Sequence, residues 1–305
     1  MGSIATQRIF TAAIVMLGVS SITFFLLHLV PGDPIEVMLG ESASIADRAQ
    51  LRAELGLDAP LMHQWRKFHT GLLRFDFGYS LYSKKPIANM IASRIPWTII
   101  LAFTSLAFAL IIALPLGIAS ALRPNSATDS FAATVSLLGV SVPNFLLGPL
   151  LIIIFAIGLG WFPVSGNSTR GSIVLPALTL GASLAAILSR MIRASLLEVL
   201  SEEYIVAARA RGLGAVTVVV VHALPNATLP VLTVVGLQLG ALLGGAVITE
   251  MIFAWPGIGQ LTIEAIQRRD YPLVQACVIV ISFAYVVVNM LTDLIYSRVD
   301  PRIER

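Results

Sequence analysis

Few side chains in this sequence could carry covalent, redox or metal chemistry, and their spacing speaks against most of it. There are four histidines, and His63 and His69 stand six residues apart. Helical metal-binding histidines favour a spacing of three or four, which puts both on one face. These two are therefore expected to be structural, and His28 to be packed within a membrane helix. Cys277 is the only cysteine, which excludes an intrachain disulfide and any cysteine-rich metal cluster. A phosphate-cradling Walker loop needs a glycine directly before its lysine. None of the three lysines, Lys67, Lys84 and Lys85, has one. No catalytic residue, resident cofactor or metal site is expected, and any ATP hydrolysis must come from another chain.

The densest charge lies in "EEYIVAARARGL", Glu202–Leu213, within a chain that is only 12% charged. As a short helix this stretch has Ser201 in position to cap its start. Glu202 and Glu203 would occupy the first turn, where the helix dipole favours acids. Arg209 and Arg211 fall in the last turn, where it favours bases, and Gly212 can close the helix in the left-handed conformation. Ala207, Ala208 and Ala210 leave the middle small enough for another backbone to approach.

The elements that must position this helix are membrane helices. The chain is 57% hydrophobic, with a mean hydropathy of +0.87, and a soluble domain carries roughly twice the charge. A net charge of +3 without a basic run excludes a nucleic-acid binder. Apolar windows long enough to span hydrocarbon predict six crossings: Ile9–Val30, Trp97–Leu122, a run within Phe131–Trp161, Ile173–Ile192, Leu229–Thr249 and Leu273–Leu294. The first is uncharged and lacks a small-residue cleavage site, so it reads as a retained crossing rather than a signal peptide. Pro143 and Pro149 predict a kinked or partly interfacial third crossing.

With both termini inside, nine arginines fall on cytoplasmic segments and three, Arg170, Arg268 and Arg269, on short outer loops. The eight bases of the segment 31–96 point the other way, but loops longer than about 60 residues are weak topogenic signals. The expected fold is thus all-α, with six transmembrane helices in an N-in/C-in arrangement. Short amphipathic helices broken at "GLDAP" form an external layer between the first two crossings. The Glu202–Gly212 helix is cytosolic, between the fourth and fifth. The whole of 1–305 is expected to be one transmembrane domain: first crossing 1–30, external segment 31–96, five-helix core 97–294 and cytosolic tail 295–305.

The residues after the charged helix resemble a known signature. Val206-Ala207-Ala208, three residues, Gly212, nine residues and His222-Ala223-Leu224-Pro225 match the "EAA…G…I-x-L-P" motif of binding-protein-dependent ABC transporter permeases. Val206 and His222 depart from it, and Glu203, one turn before Val206, could supply the missing acid. The likeness extends to the dipeptide, oligopeptide and nickel permeases. It runs in order through "LVPGDP" (Leu29–Pro34), "LGLDAPL" (Leu55–Leu61), "DFGYS" (Asp76–Ser80), "GVSVPNF" (Gly139–Phe145), "RASLLEVLSEEYIVAARARGL" (Arg193–Leu213), "HALPNATLPV" (His222–Val231), "FAWPGIGQL" (Phe253–Leu261), "RDYPLVQA" (Arg269–Ala276) and "DPRI" (Asp300–Ile303).

The resemblance implies the first of two permease subunits of a peptide importer in the bacterial cytoplasmic membrane. Its implied partners are a homologous permease, two ATPase subunits that carry ATP and magnesium, an extracytoplasmic substrate-binding protein and the lipid bilayer. Glu202, Glu203, Ala207, Ala208, Arg209, Arg211 and Gly212 would form the ATPase-coupling helix, and His222, Leu224 and Pro225 the end of the coupling loop. Trp255, Pro256, Gly257 and Gly259 would lie at the outer gate, where the binding protein docks, or form a surface turn.

Other readings stay open at this level. Gly236, Gly240 and Gly244 make two G-x-x-x-G steps that allow close helix approach, either to the partner permease or within this chain's own bundle. Glu250 and Asp293 lie near membrane depth, where acids are costly. They read as interfacial groups with an arginine or backbone partner, or as the ion sites of a proton-coupled secondary transporter. A nickel or glutathione importer fits the same motifs as a peptide importer. A receptor or scaffold that holds a cytosolic protein on the charged helix is a further alternative.

Overall fold

The computed structural model describes residues 2–29, 35, 39 and 44–299. The motif Asp300–Ile303 and most of Leu29–Pro34 lie outside the described residues, as does the end of the tail. Among those described, helices dominate, and the only β-type pairing is a bridge between Tyr79 and Pro86. Five of the described helices are long and apolar enough to cross a membrane, and a bent pair makes a sixth if counted as one span.

The chain forms two compact units, each assembled from distant segments: 1–98 with 256–286, and 99–255 with 287–305. The first unit begins with α1 (Gly2–Leu29), followed by α2 (Ile45–Leu55) and α3 (Leu61–Leu73). These last two are the amphipathic helices expected around "GLDAP". Ser44 caps α2 by accepting from Asp47 N–H at 3.1 Å, and Gly56 ends it at φ 71°, where glycine is unstrained. Helix α3 is tied to α1 by the His69 ring, 2.9 Å from Ser20 Oγ, and by Trp65 Nε1–H donating to Ser21 Oγ at 3.1 Å. His69 Nδ1 also lies 2.9 Å from Trp65 O, so both ring nitrogens serve packing.

Helix α4 (Ile87–Leu122) starts ten residues before the expected boundary and runs through Pro96. In the second unit α5 (Ala127–Ser141) and α6 (Asn144–Leu151) follow, the latter extended by wider π-type turns over Ile152–Gly158. The path bends by 103° between these two arms, as in a broken span or a re-entrant loop. The bend falls at Val142-Pro143, where proline cannot donate the N–H a continuous helix needs.

Helix α7 (Val174–Leu200) is the central strut of this unit. Its close neighbours are set by small residues. A Cβ on Gly181 would come within 2.9 Å of Ser105 O, one on Gly117 within 2.8 Å of Ser189 O, and one on Gly139 within 2.9 Å of Ala186 Cβ. Ser136 and Ser189 share a buried hydrogen bond of 2.8 Å across the α5–α7 contact.

After α7 come α8 (Glu203–Ala210), a short turn at Ala215–Thr217, π-type turns over Val218–Ala223, then α9 (Leu224–Gly245) and α10 (Val247–Ile252). Helix α11 (Ile258–Gln267) belongs to the first unit, and α12 (Tyr271–Val299) is the last span. The apolar core of the first unit gathers Ile87 and Ile91 with Ile258, Leu261, Leu273 and Cys277.

Candidate functional site

Helix α8 is only eight residues long, and isolated helices below about 12 residues are marginal in water. Its position must therefore come from what it sits on. Ile205 and Ala208 are its buried residues, Ala208 being 1% exposed. They pack into an apolar seat made by Ala121 of α4, Leu196 of α7, Val218 and Ala223 of the π-type turns, and Ala227 of α9. Asn226 Nδ2 donates to Tyr204 Oη at 2.8 Å, and this polar tie joins α8 to the start of α9.

The start of α8 differs from the capped helix expected from sequence. Ser201 closes α7 instead: its Oγ donates to Glu198 O at 2.7 Å. The reason is that α7 runs eight residues beyond Ile192 and takes Ser201 with it. Glu202 has the extended backbone of the N-cap, with no side-chain cap hydrogen bond, and Glu203 alone is the first-turn acid. At the other end Arg209 lies in the last turn, Arg211 is the C-cap and Gly212 has φ 80°, the left-handed conformation.

The alanine pair is divided between two faces. Ala208 points into the seat, whereas Ala207 is exposed together with Glu203, Val206, Arg209 and Arg211. Val206 is 57% exposed, so an apolar side chain stands on the outer face where the motif has an acid. Val216, Val220 and Val221, all more than half exposed, add apolar surface just beyond Gly212. His222, Leu224 and Pro225 do not end a loop. They lie in helical backbone, with Pro225 in the first turn of α9, where its missing N–H costs nothing.

The other sequence candidates are placed as follows. Gly236 is buried against Thr292 of α12, and a methyl group there would overlap that side chain. Gly236 therefore packs within the chain's own bundle. Gly240 is buried on the same helix, which also contains Gly244. Trp255 is 2% exposed, so its side chain is not offered to a docking protein. Gly257 and Gly259 are also buried, Pro256 is half-buried, and α11 begins at Ile258 where a loop was expected. Glu250 is 0% exposed on α10, while Asp293 is exposed on α12. The two acids thus differ in setting.

One constellation escaped sequence reading. Asp129, in the first turn of α5, accepts from Arg193 Nε and Nη2 of α7, each at 2.7 Å. It also accepts from Ser120 Oγ of α4 at 2.5 Å and from Asn125 N–H at 2.8 Å. A fork-to-fork pair of this kind fixes orientation as well as distance. The only sequence signal was Ser126 followed by an acid, a helix start; nothing pointed to an arginine 64 residues on.

This architecture matches known transport proteins. The family model described as "Binding-protein-dependent transport system inner membrane component" covers residues 113–305, and its companion N-terminal model covers 1–102. The chain is 40% identical over 285 residues to the glutathione transport system permease protein GsiC of Escherichia coli K12, covering 93% of each. It is 42% identical over 288 residues to the corresponding protein of Pectobacterium atrosepticum, covering 94% of each. Among solved structures, the inward-facing methionine ABC transporter MetNI superposes with a TM-score of 0.61 at 18% identity, over 71% of this chain and 99% of the other. An amino acid ABC transporter gives 0.53 at 17% identity, over 70% and 94%.

The chain belongs to the family of inner-membrane components of binding-protein-dependent transport systems. It is a multi-pass inner-membrane permease subunit of an ABC importer of the dipeptide, oligopeptide and nickel type, and not an enzyme. The family works as an assembly of permease, ATPase and binding-protein components, with hydrolysis on the separate ATPase subunits.

Proposed function

We propose that this chain pairs with a second, homologous permease and two ATPase subunits to import short peptides delivered by an extracytoplasmic binding protein, with glutathione the first peptide to test. The observation that carries the ATP-driven part is α8 itself. It is a short helix with a fully apolar inner face in a preformed seat and an exposed outer face bearing Glu203, Val206, Ala207 and Arg209. Such a helix can be pushed as a unit by a docked protein, because its inner contacts hold it to four other elements while its outer face stays available. ATP binding closes the ATPases, moves α8 on the cytosolic side and opens the pathway outward. Hydrolysis then resets it.

The peptide part is supported by the identity to glutathione permeases across nearly the whole chain. The fold alone does not distinguish cargoes, since a methionine transporter shares it. The test is ATP hydrolysis by the chain reconstituted in lipid with its encoded partners. The binding protein is added loaded in turn with dipeptides, longer peptides, glutathione or nickel. Stimulation by glutathione or another short peptide, and not by nickel, is expected. Stimulation by nickel alone would overturn the cargo assignment. Failure of any ATPase to co-purify would overturn the coupling.

A further inference from the structure

The Asp129 cluster stands directly beside the seat of α8. Ser120 precedes Ala121, and Arg193 lies three residues, one turn of the same helix face, before Leu196. Ala121 and Leu196 are the seat residues supplied by α4 and α7. One carboxylate therefore ties together the two helices that form the floor under α8, at the positions where they form it. The tie is built rather than incidental. Asp129 is 6% exposed, and Ser120 beside it is 2% exposed. Both carboxylate oxygens are engaged: Oδ1 by Ser120 Oγ and Arg193 Nε, Oδ2 by Asn125 N–H and Arg193 Nη2. The turn before α5 is shaped for the purpose. Asn125 adopts φ 59°, which aims its N–H at the carboxylate, and Ser126 Oγ accepts from Asp129 N–H at 3.3 Å.

We propose that Asp129 is a positioning residue for coupling: it clamps α4 to α7 through Ser120 and Arg193, so that a push on α8 moves those helices together instead of spreading the seat. The proposal rests on the reading of α8 as the ATPase-driven helix. An apolar seat resists compression but offers little resistance to sliding, because dispersion contacts are non-directional. A bidentate charged pair supplies the missing directional restraint. Without it, α8 can still bind an ATPase and ride on its movement, but less of that movement reaches the spans.

The test is uptake per ATP hydrolysed in proteoliposomes holding the complete importer, for the wild type, Asp129→Asn, Arg193→Lys and Ser120→Ala. Asp129→Asn keeps the shape and removes the charge. Arg193→Lys keeps the charge and loses the fork. The amount of assembled complex is measured for each variant by co-purification of the ATPase subunits. The clamp predicts that the Asp129→Asn complex assembles and hydrolyses ATP while its uptake per ATP falls by a factor of between about 2 and 30, the usual range for a residue that modulates coupling between sites. Arg193→Lys should fall in between, and Ser120→Ala nearest the wild type. Wild-type ratios in all three assembled variants would overturn the proposal. So would a loss of uptake that only follows the loss of assembled complex, which marks a purely structural tie. If the wild-type complex itself shows no ATP-dependent uptake, the reading of α8 fails first, and that result is separate from the variants.

Discussion

Asp129 and Asp270 are both buried, one in each compact unit, and each gathers donors from chain segments far away in sequence. Asp270, just before α12, accepts from Ser80 Oγ at 2.5 Å and from Leu81 N–H at 3.0 Å, with Tyr82 N–H at 3.4 Å. All of its donors are uncharged, and most are backbone. It staples one loop, residues 80–82, to the start of one helix. Asp129 instead takes a cation from the middle of a long helix and a hydroxyl from another. A carboxylate held by backbone N–H groups fixes a loop in one conformation. A carboxylate held by side chains of two helices fixes those helices relative to each other. The first arrangement suits a static layer and the second a relay.

Substitutions can break this contrast. The largest effect is expected from Arg193→Ala, which leaves the Asp129 carboxylate buried without its cation. The Arg193 side chain is 33% exposed, so solvent screens part of the loss, which is read as a lower thermal unfolding midpoint of the purified subunit. Asp129→Ala combined with Arg193→Ala should recover part of that loss; fully additive costs would show that the two do not act as a pair.

Ala208→Glu comes next. It forces a carboxylate into the apolar seat, at a cost of several kcal/mol if it stays buried, so α8 is expected to lift out and release the ATPase. Ala207→Glu, on the exposed face, should leave the unfolding midpoint near wild type. Equal effects at the two positions would contradict the division of the alanine pair.

Asp270→Ala is expected to strand the Ser80 hydroxyl and the Leu81 N–H, at about 1–3 kcal/mol for each donor left unpaired. Faster proteolysis within residues 76–86 would report it, with uptake per ATP unchanged. A change in that ratio would mean the staple is not static. The smallest effect belongs to Gly212→Ala, since a left-handed residue with a Cβ costs about 1–2 kcal/mol. It should shorten or fray the end of α8 and lower uptake modestly.

How much of this was legible follows from the range of each signal. Long apolar windows are local and strong, and they located every crossing, but their ends were set by charge and proline. The window for α7 stopped at Ile192 because Arg193 follows, yet the helix continues to Leu200 and carries that arginine into Asp129. The window for α4 stopped at Pro96, which the helix contains. Helix α11 was hidden behind Pro256-Gly257, although Ile258, Leu261, Thr262 and Ala265 have the spacing of a buried helix face.

At the candidate site, Gly212 and the arginines were readable because capping depends on neighbours in sequence. The burial of Ala208 rather than Ala207 was not, since only the seat decides which face turns inward. The Asp129–Arg193 pair was out of reach for the same reason: the residues are 64 positions apart, and nothing local in either segment names the other.

The central claim is that the exposed face of α8 receives the ATPase subunit, and a photo-crosslinker attached at Ala207→Cys tests it most directly. The native Cys277 is buried and does not compete for the reagent. In the reconstituted complex the account predicts an adduct with the ATPase chain that strengthens or weakens when ATP is bound. An adduct with lipid alone, or none with the ATPase while the complex remains assembled, would contradict it.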